Sequence, residues 1–302
     1  MSLTAIILVV ISAAIHAGWN LLTKSKEPST SFFLIASVTG VLVLSPVPVI
    51  YRHAIAHIPG KVWLMLVATS AFMAMYYTSL AGAYRAGHMS VAYPLARSSP
   101  IIVVSAVTFI LGRGHEISGL CVAGIVLVVA GCFLLPMLHF SDIKSANYFN
   151  ATCGLALLAA IGTAGYSIFD DEALRCMRTT PALALGTIPA TLLYAFMEGL
   201  LAALWLAAIA AVRRSGPDEL RRELRTNARH AAITGIGIWA GYVLILVSLA
   251  FVKNVSYVAA FRQLSIPLGT ALGIVVLGEP AGLPKIAGAV VIFLGLMLVA
   301  VG

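Results

Sequence analysis

Ten apolar stretches, near residues 3–22, 31–50, 62–84, 89–111, 117–138, 151–169, 182–211, 231–252, 255–277 and 286–302, constrain this chain more than any other feature. Hydrocarbon offers the backbone no hydrogen-bond partners, so a spanning segment must be a helix or part of a closed barrel. A spanning helix needs about 20 apolar residues and a spanning strand about 10. These stretches have helix length. They are divided by turn-forming or charged breaks such as Pro59-Gly60, Gly112 to Gly114, Pro181, Gly216-Pro217, Lys253-Asn254 and Gly278-Glu279-Pro280. Ten spans use about 200 positions and leave short connections in a chain of 302 residues, with no room for a separate soluble domain. Charged residues make up only 10% of the sequence, against roughly 25% in soluble domains, and the mean hydropathy is +1.01. The fold class expected is therefore all-α integral membrane.

The formal charge of +8 does not point to nucleic acid, because the basic residues are scattered except between Arg213 and Arg229. That run also contains Asp218, Glu219 and Glu223, and reads as a solvated loop with a short interfacial helix over 217–228. The four cysteines form no disulfide framework: Cys121, Cys132 and Cys153 fall in apolar runs and Cys176 in a connection, so all four read as packing residues. The first 22 residues lack the basic start of a cleaved signal peptide and are expected to remain as the first helix.

Laid side by side, the two halves repeat. Ala17-Gly18-Trp19-Asn20 matches Ala164-Gly165-Tyr166-Ser167. His16, Trp19, Asn20 and Thr23 fall at i, i+3, i+4 and i+7, as do Thr163, Tyr166, Ser167 and Asp170, so each set lines one side of its helix. Met73 and Tyr76 correspond to Trp239 and Tyr242. Ser90 and Arg97 correspond within one residue to Ser256 and Arg262, each pair followed by a proline, Pro100 or Pro267. The chain thus divides into five-helix units over 1–140 and 141–302. Because five is odd, the second unit enters the membrane from the opposite side, giving ten transmembrane helices as two inverted five-helix repeats.

This pattern resembles the EamA-type transporters of the drug/metabolite transporter superfamily. The resemblance runs along essentially the whole chain and rests on His16-Ala17-Gly18-Trp19-Asn20 followed by Lys24, on Tyr93-Pro94-Leu95-Ala96-Arg97, and on Leu277-Gly278-Glu279-Pro280. It implies ten helices from a duplicated unit and carriage of small metabolites, without naming one. The first helix and the Tyr-Pro-Leu-Ala-Arg stretch are more weakly similar to a branch associated with phosphonate utilisation. The small multidrug-exporting relatives carry a glutamate in their first helix. Here that helix has no acid and offers His16, which argues against a cationic-drug antiporter of that type.

Arg97 and Arg262 are the sharpest chemical signal. An arginine at a helix centre costs roughly 2.5–3.5 kcal/mol on insertion scales, so it is kept where it has a partner or a cavity. At matched repeat positions the two suit an anionic group such as a carboxylate or phosphonate; the bland alternative is snorkelling from near a helix start. Trp19, Asn20, Tyr76, Tyr93, Tyr166, Trp239 and Tyr242 are the other expected substrate-binding residues, though aromatics also simply pack helices. His16 and Glu198 are the titratable candidates for a proton or charge partner, with a backbone hydrogen bond or a structural arginine as the alternatives. Pro94, Pro100 and Pro267 remove backbone donors within two matched helices and are expected to kink them. Gly237 to Gly241 and Gly269 to Gly273 have the spacing of close helix contacts. Asp170, Asp171 and Glu172 are expected to form a solvated end of the sixth helix.

The enzyme signatures are broken: His115-Glu116 is followed by Gly119 where a zinc site needs a second histidine, and no nucleophile elbow occurs. Neither the repeated polar rings of a channel nor the output domain of a sensor is present. The expectation is a multi-pass cell-membrane carrier, in the inner membrane if the cell is bacterial, with a small zwitterionic or anionic substrate such as an amino acid or aminophosphonate. A membrane enzyme, a sensor and a carrier of uncharged metabolites are the alternatives. The expected partners are the substrate and the lipid bilayer, with no nucleic acid, cofactor or metal.

Overall fold

The computed structural model describes residues 2–23, 28–86, 89–134, 137, 151–278, 280 and 282–302; the side chains of 20–23, 84, 86, 89–98 and 277 lie outside the description. Fourteen helices follow in order among these residues: α1 (Leu3–Thr23), α2 (Thr30–Leu44), α3 (Pro46–Ile50), α4 (Arg52–Ile55), α5 (Gly60–Ala86), α6 (Met89–Ile110), α7 (Gly119–Leu134), α8 (Ala151–Arg178), α9 (Thr187–Val212), α10 (Gly216–Thr226), α11 (Ala228–Ser248), α12 (Val255–Phe261), α13 (Ser265–Leu277) and α14 (Leu283–Val301). No strand occurs among the described residues.

Local chemistry marks the helix ends. The Ser29 hydroxyl accepts from the Phe32 amide at 3.0 Å to start α2, and the Asn254 side chain accepts from the Ser256 amide at 2.9 Å to start α12. Gly278 closes α13 in the left-handed conformation, at φ 65°.

Among the described residues, seven helical segments are long and apolar enough to cross a membrane: Thr30–Ile50, Gly60–Ala83, Ala151–Arg178, Thr187–Val212, Ala228–Phe251, Val255–Val276 and Leu283–Val301. Three shorter apolar helices, Leu3–Trp19, Ser99–Ile110 and Gly119–Leu134, accompany them. Apolar side chains such as Leu64, Val126, Leu204, Val275 and Phe293 are exposed, as suits a surface facing lipid. The chain is a multi-pass membrane protein.

Helix pairing is specific: α5 lies along α8, α1 along α11, α7 along α14, and α2 against both α9 and α11, while α6 packs on α8 and α13 on α1. Lys61 meets Glu172 at 3.1 Å, Thr69 meets Asp170 at 2.6 Å and Gly82 faces Leu155, so α5 and α8 run antiparallel.

Several expectations need correction. The sixth apolar stretch does not end near 169: α8 continues to Arg178 and takes Asp170, Asp171, Glu172 and Cys176 inside a helix. Asp170 and Asp171 are each only 1% exposed, so these two acids form no solvated end, while Glu172 stays partly exposed. Pro94 and Pro100 leave α6 unbroken from Met89 to Ile110, whereas the span carrying Pro267 is interrupted by a 3₁₀ turn at Arg262–Leu264. The run between Arg213 and Arg229 does hold a short helix, α10, but its inner face is docked. Glu223 accepts from the Ser29 hydroxyl at 2.9 Å, and Glu219 accepts from the Ser31 amide at 3.2 Å. Gly237 and Gly241 face Trp19 and His16 closely, while at Gly269 nothing lies where a Cβ would be.

Without a hydrophobic drive between helices in lipid, close approach of small residues supplies the packing. A Cβ on Gly162 would stand 2.8 Å from the Phe72 carbonyl oxygen and 2.9 Å from the Tyr76 nitrogen of α5. One on Gly295 would stand 2.7 Å from the Gly124 carbonyl oxygen of α7. These neighbours are backbone, so a side chain there must push two helices apart. Gly162→Val and Gly295→Val are expected to destabilise by about 1–3 kcal/mol each and to lower the melting temperature in detergent. Gly154→Val, on the same α8 but with open space at its Cβ, should melt near wild type.

Candidate functional site

The face of α8 carrying Thr163, Tyr166, Ser167 and Asp170 meets α5, α9 and α11 around a buried polar cluster. Asp170 Oδ1 accepts from the Thr69 hydroxyl at 2.6 Å and from the Tyr194 hydroxyl at 2.9 Å. The Tyr242 hydroxyl lies between Asp170 Oδ2 and Glu198 Oε1, at 2.9 Å from the latter. Thr69 is also 3.3 Å from Glu198 Oε1. Glu198 Oε2 has no hydrogen-bond partner among the described residues, although Glu198 is fully buried. Glu198 stands 11 residues from the start of α9 and 14 from its end, or about 16 and 21 Å along the helix, so the cluster lies near the middle of its span.

Arg262 flanks this cluster from the 3₁₀ turn. Its guanidinium donates to the Tyr166 hydroxyl at 3.1 Å and approaches the Ser167 hydroxyl at 3.5 Å. Its Cζ lies 5.7 Å from the centroid of the Tyr166 ring, within cation–π range. Asp170, Ser167, Tyr242, Ile245, Val258 and Arg262 line a narrow cleft of about 10 Å³. That is below the roughly 300–1,000 Å³ of ordinary small-molecule pockets, so the helices close over the site in this conformation. Aromatic rings continue from it, Tyr77 to Tyr76, Tyr166, Tyr242 and Trp239, with successive centroids 5.1–6.0 Å apart.

Of the residues singled out from sequence, Arg262, Tyr76, Tyr166, Trp239, Tyr242 and Glu198 come together here. Glu198 meets hydroxyls, and among the described residues no arginine lies within ion-pair distance of it. His16 and Trp19 stand on α1 against α11, with ring centroids 5.5 Å apart and His16 Nδ1 at 3.2 Å from the Ser12 carbonyl oxygen. Asn20, Tyr93 and Arg97 have side chains outside the described residues. Sequence reasoning missed Thr69, Tyr194 and Asp170 as site residues. For Asp170 the signal was present, since it shares the helical face of Tyr166 and Ser167. Thr69 and Tyr194 look like ordinary residues of apolar helices until the packing joins them.

A second polar network closes one end of the bundle. Arg113, in the connection after α6, pairs with Glu116 at 3.1 Å and reaches Asp171 at 3.6 Å. Asp171 also pairs with Arg175 at 3.0 Å, and Arg175 donates to the Lys253 carbonyl at 2.7 Å. Asn254 donates to Glu116 at 2.7 Å. The loop after α6, the end of α8 and the start of α12 are thereby tied together. At the opposite end, given the antiparallel pairing of α5 and α8, Arg85 pairs with Glu219 at 3.1 Å.

Residues 3–137 match the EamA-like transporter family. No curated protein matches the chain in sequence. A solved crystal structure superposes at a TM-score of 0.70 and 14% identity, covering 100% of this chain and 98% of its own. At that identity the likeness establishes a shared fold and nothing about ligands.

Burial raises the Glu116 carboxyl, but the hydrogen bonds from Arg113 and Asn254 outweigh it and hold its pKa below the ordinary value. A depressed carboxyl contributes stability that is present above the unfolded pKa, about 4.3 for glutamate, and is lost as pH falls through the folded value. Glu116→Gln is therefore expected to melt below wild type at pH 6. The gap should narrow as the pH is taken below about 4. A gap that stays constant over that range would show that ionised Glu116 does not tie this end together.

Proposed function

We propose that this chain, whose residues 3–137 match the EamA-like transporter family, is a cell-membrane carrier of a small zwitterionic or anionic metabolite, and that Arg262 binds the acidic group. The observation that carries this reading is the state of Arg262. It is half-buried beside a closed cleft, its described partners are the neutral Tyr166 and Ser167 hydroxyls, and among the described residues no carboxylate lies within ion-pair distance of it. A desolvated guanidinium held by neutral groups keeps its charge and its fork of donors for an incoming carboxylate or phosphonate. Tyr166 and Tyr242 supply walls, and Arg97 is the matching arginine of the first half.

The carrier works by alternating access between two inverted five-helix repeats, 1–140 and 141–302. Helix pairing supports this. If each of the first five spans is exchanged for its counterpart, the contact of α5 with α8 becomes that of α11 with α1, while α7 with α14 and α2 with α9 map onto themselves. The polar ties at both ends of the bundle and the narrow cleft between them suit a site enclosed from both sides. The 3₁₀ turn at Arg262–Leu264 supplies a point of flexure beside the substrate.

Binding measured in detergent, with charged metabolites and analogues lacking the acidic group, tests the role of the arginine. Arg262→Lys should weaken binding of the acidic ligand about tenfold or more, since charged hydrogen bonds contribute about 1.5–3 kcal/mol. Arg262→Ala should weaken it further, both variants melting near wild type. Analogues without the acidic group should bind wild type and variants alike. The same pattern is expected for Arg97. Normal transport by Arg97→Ala and Arg262→Ala would instead favour an uncharged substrate.

A further inference from the structure

We propose that Asp170 and Glu198 form a proton-binding site that carries one proton, on Glu198, delivered through the Tyr242 hydroxyl and the cleft. The argument is a count of hydrogens. Thr69, Tyr194 and Tyr242 bring three hydroxyl protons, yet their oxygens make five close contacts with carboxyl oxygens of Asp170 and Glu198. Each hydroxyl can donate only once. With both acids ionised, two of the contacts would be oxygen against oxygen with no hydrogen between them, and two like charges would share one buried site.

A single added proton resolves the cluster. Tyr194, Thr69 and Tyr242 all donate to Asp170, which accepts as a carboxylate. Glu198, protonated at Oε1, donates in turn to the Tyr242 oxygen at 2.9 Å. The remaining contact, Thr69 to Glu198, is the longest of those to Glu198, at 3.3 Å. The unpartnered Glu198 Oε2 is an independent sign. A buried carboxylate oxygen without a donor is far costlier than the carbonyl oxygen of a neutral acid.

The charges facing the cluster agree with this assignment. α5 presents Thr69, Tyr76 and Tyr77, α8 presents Tyr166, α9 Tyr194 and α11 Tyr242, all neutral, and the 3₁₀ turn presents Arg262 as the lone described cation. Lys61, Arg113 and Arg175 are engaged at the end of the bundle with Glu172, Glu116 and Asp171. Arg97 on α6 lies outside the described side chains. One guanidinium nearby, beyond ion-pair distance, suits one ionised carboxylate, Asp170, and not two. Asp170 and Tyr242 line the cleft and Glu198 sits behind Tyr242, so a proton entering the cleft reaches Glu198 by a single exchange: it binds the Tyr242 oxygen as the Tyr242 proton passes to Glu198.

Coupling of this proton to transport rests on reading the chain as a carrier, but the site itself can be tested without any substrate. Infrared difference spectra of the full-length protein in lipid vesicles, recorded across pH in light and heavy water, report protonated carboxyl groups directly. Wild type should show a protonated-carboxyl band at neutral pH. Glu198→Gln should abolish it and Asp171→Asn should retain it. Tyr242→Phe removes the hydrogen-bond bridge with little change of shape, and should shift the band even if Glu198→Gln fails to fold. A wild-type spectrum with no such band at neutral pH overturns the proposal, as does a band unmoved by both Glu198→Gln and Tyr242→Phe, or one abolished by Asp171→Asn. Loss of the arginine-dependent binding with the band intact would reject the anion site and leave the proton site standing.

Discussion

Hydrocarbon contains no hydrogen-bond partners, and every polar group carried into it must find one inside the protein. For the backbone the answer is the helix, which is why the described residues hold no strand. For side chains the answer has to come from other helices, and it is met by concentration. Thr69, Asp170, Tyr194, Glu198 and Tyr242 come from α5, α8, α9 and α11 and bond to one another in one place, with Glu198 Oε2 left without a partner among the described residues. Such a cluster forms only if all four helices hold their register, so the polar groups that are costly to bury also fix the arrangement of the bundle.

That register is set by close contact. Gly162 lets α8 approach the α5 backbone at Phe72 and Tyr76, one to two turns from the Thr69–Asp170 hydrogen bond. Trp239 fills the space beside Gly40 and Gly199, between α2 and α9, and turns Tyr242 toward the acids one helical turn later. Packing that looks generic for a membrane bundle therefore positions the chemistry. The aromatic candidates divide accordingly: Trp239 wedges helices, whereas Tyr242 and Tyr166 hold acid and arginine.

Asp170 and Asp171 show how one step along a helix separates two functions. Successive residues point about 100° apart on a helix of 3.6 residues per turn. Asp170 therefore enters the central cluster while Asp171 joins Arg113 and Arg175 at the bundle end. A change of charge at either acid acts on a different part of the protein, the closed centre or the tie across one end.

The sequence by itself determined the membrane class and the position of most helices, because these depend on properties local to each segment: apolar length, turn residues and the composition of each helix face. Asp170 was even visible on the polar face of its helix, but three consecutive acids look like a solvated end when burial is judged from neighbours in the chain. Only the tertiary structure decided that α8 continues past them, that Thr69 and Tyr194 complete a hydrogen-bonded cluster around Asp170, and that Arg262 lies on a 3₁₀ turn beside it while α6 runs on through its prolines. The physical reason is that hydrogen-bond satisfaction in a low-dielectric interior belongs to residues from distant segments, 69 with 170 and 170 with 242. No local pattern records which of them will meet.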